Sequence, residues 1–153
     1  MKVAKDIPLS EITLRKYEKP QGLKQRELVK KLCLSVGLLQ PGDSRDVVVD
    51  VLHVMLKGKK KRREFTCAEI ERKVIQNRKA HKLPILGVAS SNIRRQLQRL
   101  RNLFIIEKVK NSYRVSEFAH LSDTFEEKIE RFLLQSVLQR VKEYFEKADE
   151  EFS

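Results

Sequence analysis

The sequence predicts a mainly α-helical fold with a small β-hairpin, on three observations. Apolar residues recur at three- and four-residue spacing over several separate stretches; a capping-box pattern opens one of them; and a short alternating pair of apolar runs surrounds a polar tip. The chain has 153 residues, of which 41% are apolar, enough to bury a core of one domain.

Residues 1–23 carry little pattern. Leu9, Ile12 and Leu14 suit a short turn or strand before Pro20-Gln21-Gly22 interrupts the chain. Between Leu23 and Leu39, Leu28, Val29, Leu32, Cys33, Val36 and Leu39 define an amphipathic helix that Pro41-Gly42 ends. Asp43 or Ser44 then opens a segment whose residues Val47 to Leu56 are apolar nearly all round. The valines suit a strand, but the length and the Asp/Ser start favour a buried helix. Lys57 to Arg63 holds six basic residues in seven and is expected on the surface. Thr66-Cys67-Ala68-Glu69 has capping-box spacing, with Ile70, Val74, Ile75 and Ala80 as the buried stripe of the helix it starts. Leu83-Pro84 stops that helix, and Ser90 or Ser91 caps the next, which runs to about Asn102. Phe104-Ile105-Ile106, a turn with Asn111 at its tip, and Val115 make the hairpin. Ser122-Asp123-Thr124 opens a long helix to about Glu151.

Charge narrows the function. Lys and Arg number 33 against 21 Asp and Glu, a formal net charge of +12. Divided at residues 56 and 114, the three parts carry +3, +14 and −5. A basic centre with an acidic tail suits a polyanion docking on one face; a heavily solvated surface, such as high temperature favours, is the plainer alternative. No apolar run approaches the roughly 18 residues of a membrane span, and no secretory leader opens the chain, so a soluble, intracellular protein is expected. Cys33 and Cys67 are far apart without a CxxC, and His53, His81 and His120 are scattered, so neither a disulfide framework, a metal site nor any cofactor is expected. No Gly-rich phosphate loop, HExxH or GxSxG occurs, and no nucleophile-base pair stands out, so an enzyme is not expected.

The helix from 90 to 102 buries Ile93, Leu97 and Leu100. At 100° per residue, Ser91, Arg95, Gln98 and Asn102, flanked by Arg99, turn the other way without an acid among them. Arg pairs with guanine, Asn and Gln with adenine, and Ser and Arg with phosphate oxygens. A plain solvated helix is the alternative, though such faces usually mix acids with bases.

Buried helix, basic turn, capped helix, connection, polar-faced helix and hairpin is the element order of a winged helix-turn-helix. Val47 to Leu56, Thr66-Cys-Ala-Glu-Ile70, Ser90 to Leu100, Leu103-Phe-Ile-Ile-Glu-Lys-Val109 and Tyr113-Arg-Val115 resemble MarR- and ArsR-type regulators over residues 44–116. The connection from His81 to Ala89 is longer than that family's usual turn. Residues 1–43 then form an N-terminal extension with one helix, and residues 117–153 a C-terminal helix.

The resemblance implies a sequence-specific regulator of transcription on double-stranded DNA. Helix 90–102 would enter the major groove, and hairpin 104–116 would form a wing on the backbone or minor groove. Ser90, Ser91, Asn92, Arg94, Arg95, Gln98 and Asn102 are the candidates on the helix, with Ser91, Asn92 and Arg95 nearest the bases and Arg99 on a phosphate. Lys108, Lys110, Asn111 and Arg114 are the candidates on the wing, while Tyr113 is expected to pack against it. Lys59, Lys60, Lys61, Arg62 and Arg63 form a candidate flexible arm for phosphates, with a solubility loop or nuclear-localisation-like peptide as alternatives. The alternative function is a winged-helix interaction module within a larger nucleic-acid-processing complex. Location follows the DNA: cytoplasmic and nucleoid-associated, or nuclear in a eukaryote. No membrane partner or small-molecule effector is evident.

Three smaller readings complete the sequence. Cys67, at a helix start, suits a redox-sensing thiolate or, more simply, a core contact. Cys33 and His53 are expected to pack inside. Leu134, Leu138, Val141, Phe145, Ala148 and Phe152 are spaced 4, 3, 4, 3, 4, a heptad seam expected to form a homodimer on a pseudo-palindromic site; a helix folded back on its own domain is the alternative.

Overall fold

A computed structural model describes residues 6–153. It is mainly helical, 59% of the chain, with one small antiparallel sheet. In chain order the elements are α1 (Gln25–Ser35), α2 (Val47–Lys60), β1 (Phe65–Thr66), α3 (Cys67–Ala80), α4 (Ser90–Asn102), β2 (Ile106–Val109) and β3 (Ser112–Val115). A short 3₁₀ turn, Ser116–Phe118, leads to a continuous C-terminal rod: an α-helical turn Leu121–Thr124, a π-wound stretch Phe125–Leu134, and α5 (Gln135–Phe152).

Residues 6–24 contain neither helix nor strand, in place of the turn or strand suggested by Leu9, Ile12 and Leu14. Arg15 fixes this segment: its backbone N–H donates to Ser35 O at 2.8 Å, and its guanidinium donates to Leu34 O at 2.8 Å and Leu39 O at 3.2 Å. Those contacts satisfy carbonyls that the end of α1 leaves free. Leu28, assigned to the buried stripe of α1, is exposed; Val29, Cys33 and Val36 carry the packing.

The apolar run forms a helix, and α2 is its buried hub, with Val47 to Met55 all enclosed. It begins later than Asp43 or Ser44 and extends through Lys60, so the first half of the basic run is helical rather than a flexible arm. Its N-cap position is Asp46, whose carboxylate turns away from the helix end and toward Arg26 and Arg78. Within this helix Gly58 leaves room for the Phe65 ring, since a Cβ there would stand 2.3 Å from Phe65 Cε2.

The capping box forms as its spacing requires. Thr66 Oγ1 accepts from Glu69 N at 3.3 Å, and Glu69 Oε1 accepts from Thr66 N at 2.9 Å. Ile70 and Val74 are buried, Ile75 only partly, and Ala80 is exposed; Asn77 and Arg78 take the remaining inward positions. At α4 the N-cap position is Ala89, without a side-chain cap, rather than Ser90 or Ser91.

The hairpin is shifted from its expected start at Phe104. β2 pairs with β3 from Ile106↔Val115 to Val109↔Ser112, around a Lys110-Asn111 turn. β1, too short to carry a pattern of its own, adds Phe65↔Tyr113 and Thr66↔Ser112, giving the order β1-β3-β2. One apolar core joins α1, α2, α3, α4 and the sheet, so α1 shares the interior of residues 44–116. Among the described residues no helix is long and apolar enough to cross a membrane.

Candidate nucleic-acid interface

The orientation of α4 is set by its apolar stripe. Ile93, Leu97 and Leu100 are fully buried, which turns Ser91, Arg94, Arg95, Gln98 and Asn102 outward. The hairpin beside it exposes Lys108, Lys110 and Asn111. Lys110 takes φ 58° at the tip, a conformation that turns impose. No carboxylate lies on α4, and Glu107, the one acid of the hairpin, is already paired.

Hydrogen bonds divide the expected contact residues into two groups. Arg95 has no side-chain hydrogen bond or ion pair among the described residues, and neither has Lys110. Ser90 and Ser91 are likewise exposed at the first turn, where α4 leaves backbone N–H groups open. Arg94 stands beside the Cys67 thiol. Lys108 Nζ lies 5.7 Å from the centre of the Tyr113 ring, whose body is buried as expected.

The second group is committed elsewhere. Arg99 Nη2 donates to Leu38 O at 2.5 Å and Nη1 to Gln96 Oε1 at 2.7 Å, so this side chain ties α4 to the segment after α1 instead of facing outward. Asn92 Nδ2 donates to Gly87 O at 2.7 Å and its Oδ1 accepts from Gln96 Nε2 at 3.0 Å, which closes the long connection onto α4. Arg114 Nε donates to Glu107 Oε2 at 2.6 Å, and that carboxyl, partly buried, is nonetheless held below its ordinary range by the Glu117 N–H and Arg114. Gln98 Nε2 and Asn102 Oδ1 bond to each other at 2.9 Å on the exposed face.

The basic run borders the hairpin, since Arg62 and Arg114 lie over the same Phe118 ring. Lys60, Lys61 and Arg63 line a cleft of about 550 Å³ with Lys73, while Lys59 is half-buried and Arg62 lies over the Phe118 ring. Lys57 Nζ donates to Asn77 Oδ1 at 2.9 Å. At 100° per residue Lys73 and Cys67 stand on opposite flanks of α3, and Cys67 is the flank next to Arg94 of α4.

A larger cleft of about 900 Å³ opens between α4, the connection before α2 and the loop 83–87. Arg95, Arg45 and Lys30 line it together with the exposed Leu86. The loop is anchored at both ends, by Arg78 Nε donating to Pro84 O at 2.7 Å and by Asn92 on Gly87.

Behind the interface lies a buried polar network that sequence reasoning did not find. Arg26 bonds both oxygens of Asp50 at 3.0 Å and Asp46 Oδ2 at 3.0 Å; Arg78 Nη1 reaches Asp50 Oδ2 at 2.7 Å and Asp46 Oδ1 at 3.0 Å. Burial opposes charge on both Arg26 and Asp46, but the ion pairs outweigh it, raising the Arg26 pKa and lowering that of Asp46. Asn77 Nδ2 donates to Asp50 Oδ1 at 2.9 Å and to His53 Nδ1 at 3.2 Å, which leaves His53 Nε2 to donate to Gln25 Oε1 at 3.2 Å. Burial, with the Lys57 charge beside it, pushes the His53 pKa down to about 4, so the ring is neutral at pH 7. One sequence signal pointed here: Asp50 interrupts a valine run with no polar face to occupy.

Cys33 is fully enclosed, and burial raises its thiol to about 12. Burial also raises the Cys67 thiol, the opposite of what a reactive thiolate requires. Among the described residues no cluster of His, Cys, Asp and Glu has the arrangement of a metal site. Compared with protein families, with curated proteins and with solved structures, the chain matches none.

Proposed function

We propose that the chain is a winged helix-turn-helix protein of MarR/ArsR-like type that binds double-stranded DNA sequence-specifically and regulates transcription. The observation that carries this reading is the acid-free outward face of α4, with Arg95 uncommitted at its centre and Lys108 and Lys110 on the adjacent hairpin. Inserted in a major groove, Ser91, Arg94 and Arg95 meet base edges, while the first-turn N–H groups and Ser90 meet phosphate. Lys108, Lys110 and Asn111 then lie along the neighbouring backbone. Arg99, Asn92 and Arg114 act as positioning residues, because their polar atoms hold α4, its preceding loop and the hairpin in mutual register.

A second reading has its own support. Leu86 is 71% exposed and Ile85 39% exposed on the long loop beside α4, an apolar spot suited to a protein partner. That favours an interaction module of a larger nucleic-acid complex. Selection of bound sequences from a random duplex pool separates the two. Enrichment of one motif, lost in Arg95→Ala, supports the regulator; retention of all sequences alike supports the module.

A further inference from the structure

We propose that α5 joins two copies of this chain as an antiparallel pair. The helix buries none of its residues, yet Leu138 is 51% exposed, Val141 47%, Phe145 71% and Phe152 86%. An enclosed Phe or Tyr covers about 150–250 Å², so Phe145 and Phe152 with the neighbouring Tyr144 expose on the order of 450 Å² among them, comparable with the largest apolar patch on a typical monomer. An isolated helix of this length is marginal in water without a packed face. Among the described residues α5 does not fold back on the domain, which leaves the face open to a second copy.

Another α5 fits it. The seam spacing of 4, 3, 4, 3, 4 is the same read in either direction, so in an antiparallel pair Leu134 opposes Phe152, Leu138 opposes Ala148 and Val141 opposes Phe145. Each layer sets a large side chain against a complementary one. Ala148 in particular leaves room for Leu138.

Charge chooses the direction. Residues 135–142 carry +2 and residues 143–152 carry −4. A parallel pair would place both acidic ends together and both basic centres, +14 each, side by side. The antiparallel pair sets Arg140 and Lys142 toward the acidic half of the other copy, near its Glu143 and Glu146. The helix dipoles also oppose favourably. Two like-charged pairs arise near the dyad, Lys142 and Glu143 each with its own counterpart; all four are solvated, and the opposite charges alternate there. The starts of the two α5 helices then lie about 27 Å apart at 1.5 Å per residue, which separates the DNA-binding faces along a duplex instead of stacking them.

The experiment uses the full chain carrying Cys67→Ser, with Cys33 left in place because it is fully buried. Leu138→Cys and Ala148→Cys are introduced in separate preparations and oxidised alone and mixed, alongside sedimentation of the unsubstituted chain. The expected result is a dimer at about tens of micromolar, disulfide-linked pairs chiefly in the mixture, and a monomer for Leu138→Asp with unchanged melting of the domain. Self-linkage of each single variant at least as strong as mixed linkage would overturn the antiparallel arrangement. A monomeric full chain at that concentration would overturn the pairing altogether, without bearing on DNA binding.

Discussion

Arg78 of α3 reaches Asp50 of α2 at 2.7 Å in a position where the Asp50 side chain has no solvent exposure. The same carboxylate is gripped from α1 by Arg26, so three helices meet on one buried charge. Arg78 also holds the loop that leads to α4 through Pro84 O. The ion cluster thus connects the core to the placement of α4.

Replacing Asp50 by Asn is expected to destabilise the fold by about 3–5 kcal/mol, since it leaves two guanidinium groups short of a buried counter-charge. Urea unfolding measures this. A loss under about 1 kcal/mol, the range of exposed pairs, would show that the cluster is solvated.

Acid should weaken the fold through His53. The His53 pKa falls from 6.5 to about 4 on folding, so between those values the unfolded chain binds a proton that the folded chain refuses. Stability is intact above pH 6.5 and drops as pH falls toward 4, by at most about 1.4 kcal/mol for each pH unit crossed. Asp46, whose pKa is lowered from 3.8, adds its own loss only below that value. Unfolding midpoints across this range should slope downward for the native chain and flatten in His53→Gln.

Gly58→Ala tests packing against helix propensity. An alanine gains about 1 kcal/mol within a helix, but its Cβ would stand 2.3 Å from the Phe65 ring. Displacing that buried ring is expected to win, for a net loss of about 1–2 kcal/mol. A stabilised variant would mean that Phe65 yields freely.

Arg95→Ala should cost about 1–3 kcal/mol on the best duplex and relax base preference, whereas Lys110→Ala should weaken all duplexes alike. Equal losses for Arg95→Ala on selected and random DNA would move the base-reading role to another residue. In Arg99→Ala the expected defect is thermal, because its bonds run to Leu38 and Gln96.

The helical stretches and the hairpin were readable because their signals are local: apolar spacing, Thr66 and Glu69 three residues apart, and turn residues at Lys110-Asn111. The outward position of Arg95 followed from the Ile93/Leu97/Leu100 stripe alone. What escaped depends on partners distant in sequence. Arg26, Asp46 and Arg78 resemble surface residues until the fold brings them together, and Arg99 has the same composition signature as Arg95 until Leu38 O is found beside it. Helix α2 continued into the basic run because Lys59 and Lys60 propagate a helix readily once the core has nucleated it. Nothing in Phe125 to Leu134 marks π winding, which has no sequence periodicity distinct enough to read in ten residues.

The decisive measurement for DNA binding is its salt dependence on a duplex. With about four cationic contacts, from Arg94 and Arg95 of α4 and Lys108 and Lys110 of the hairpin, log K against log salt should fall with a slope of about −3.6, at −0.9 per contact. A steep slope of that size is the expected result; a slope near zero, or no measurable duplex binding at low salt, would contradict it.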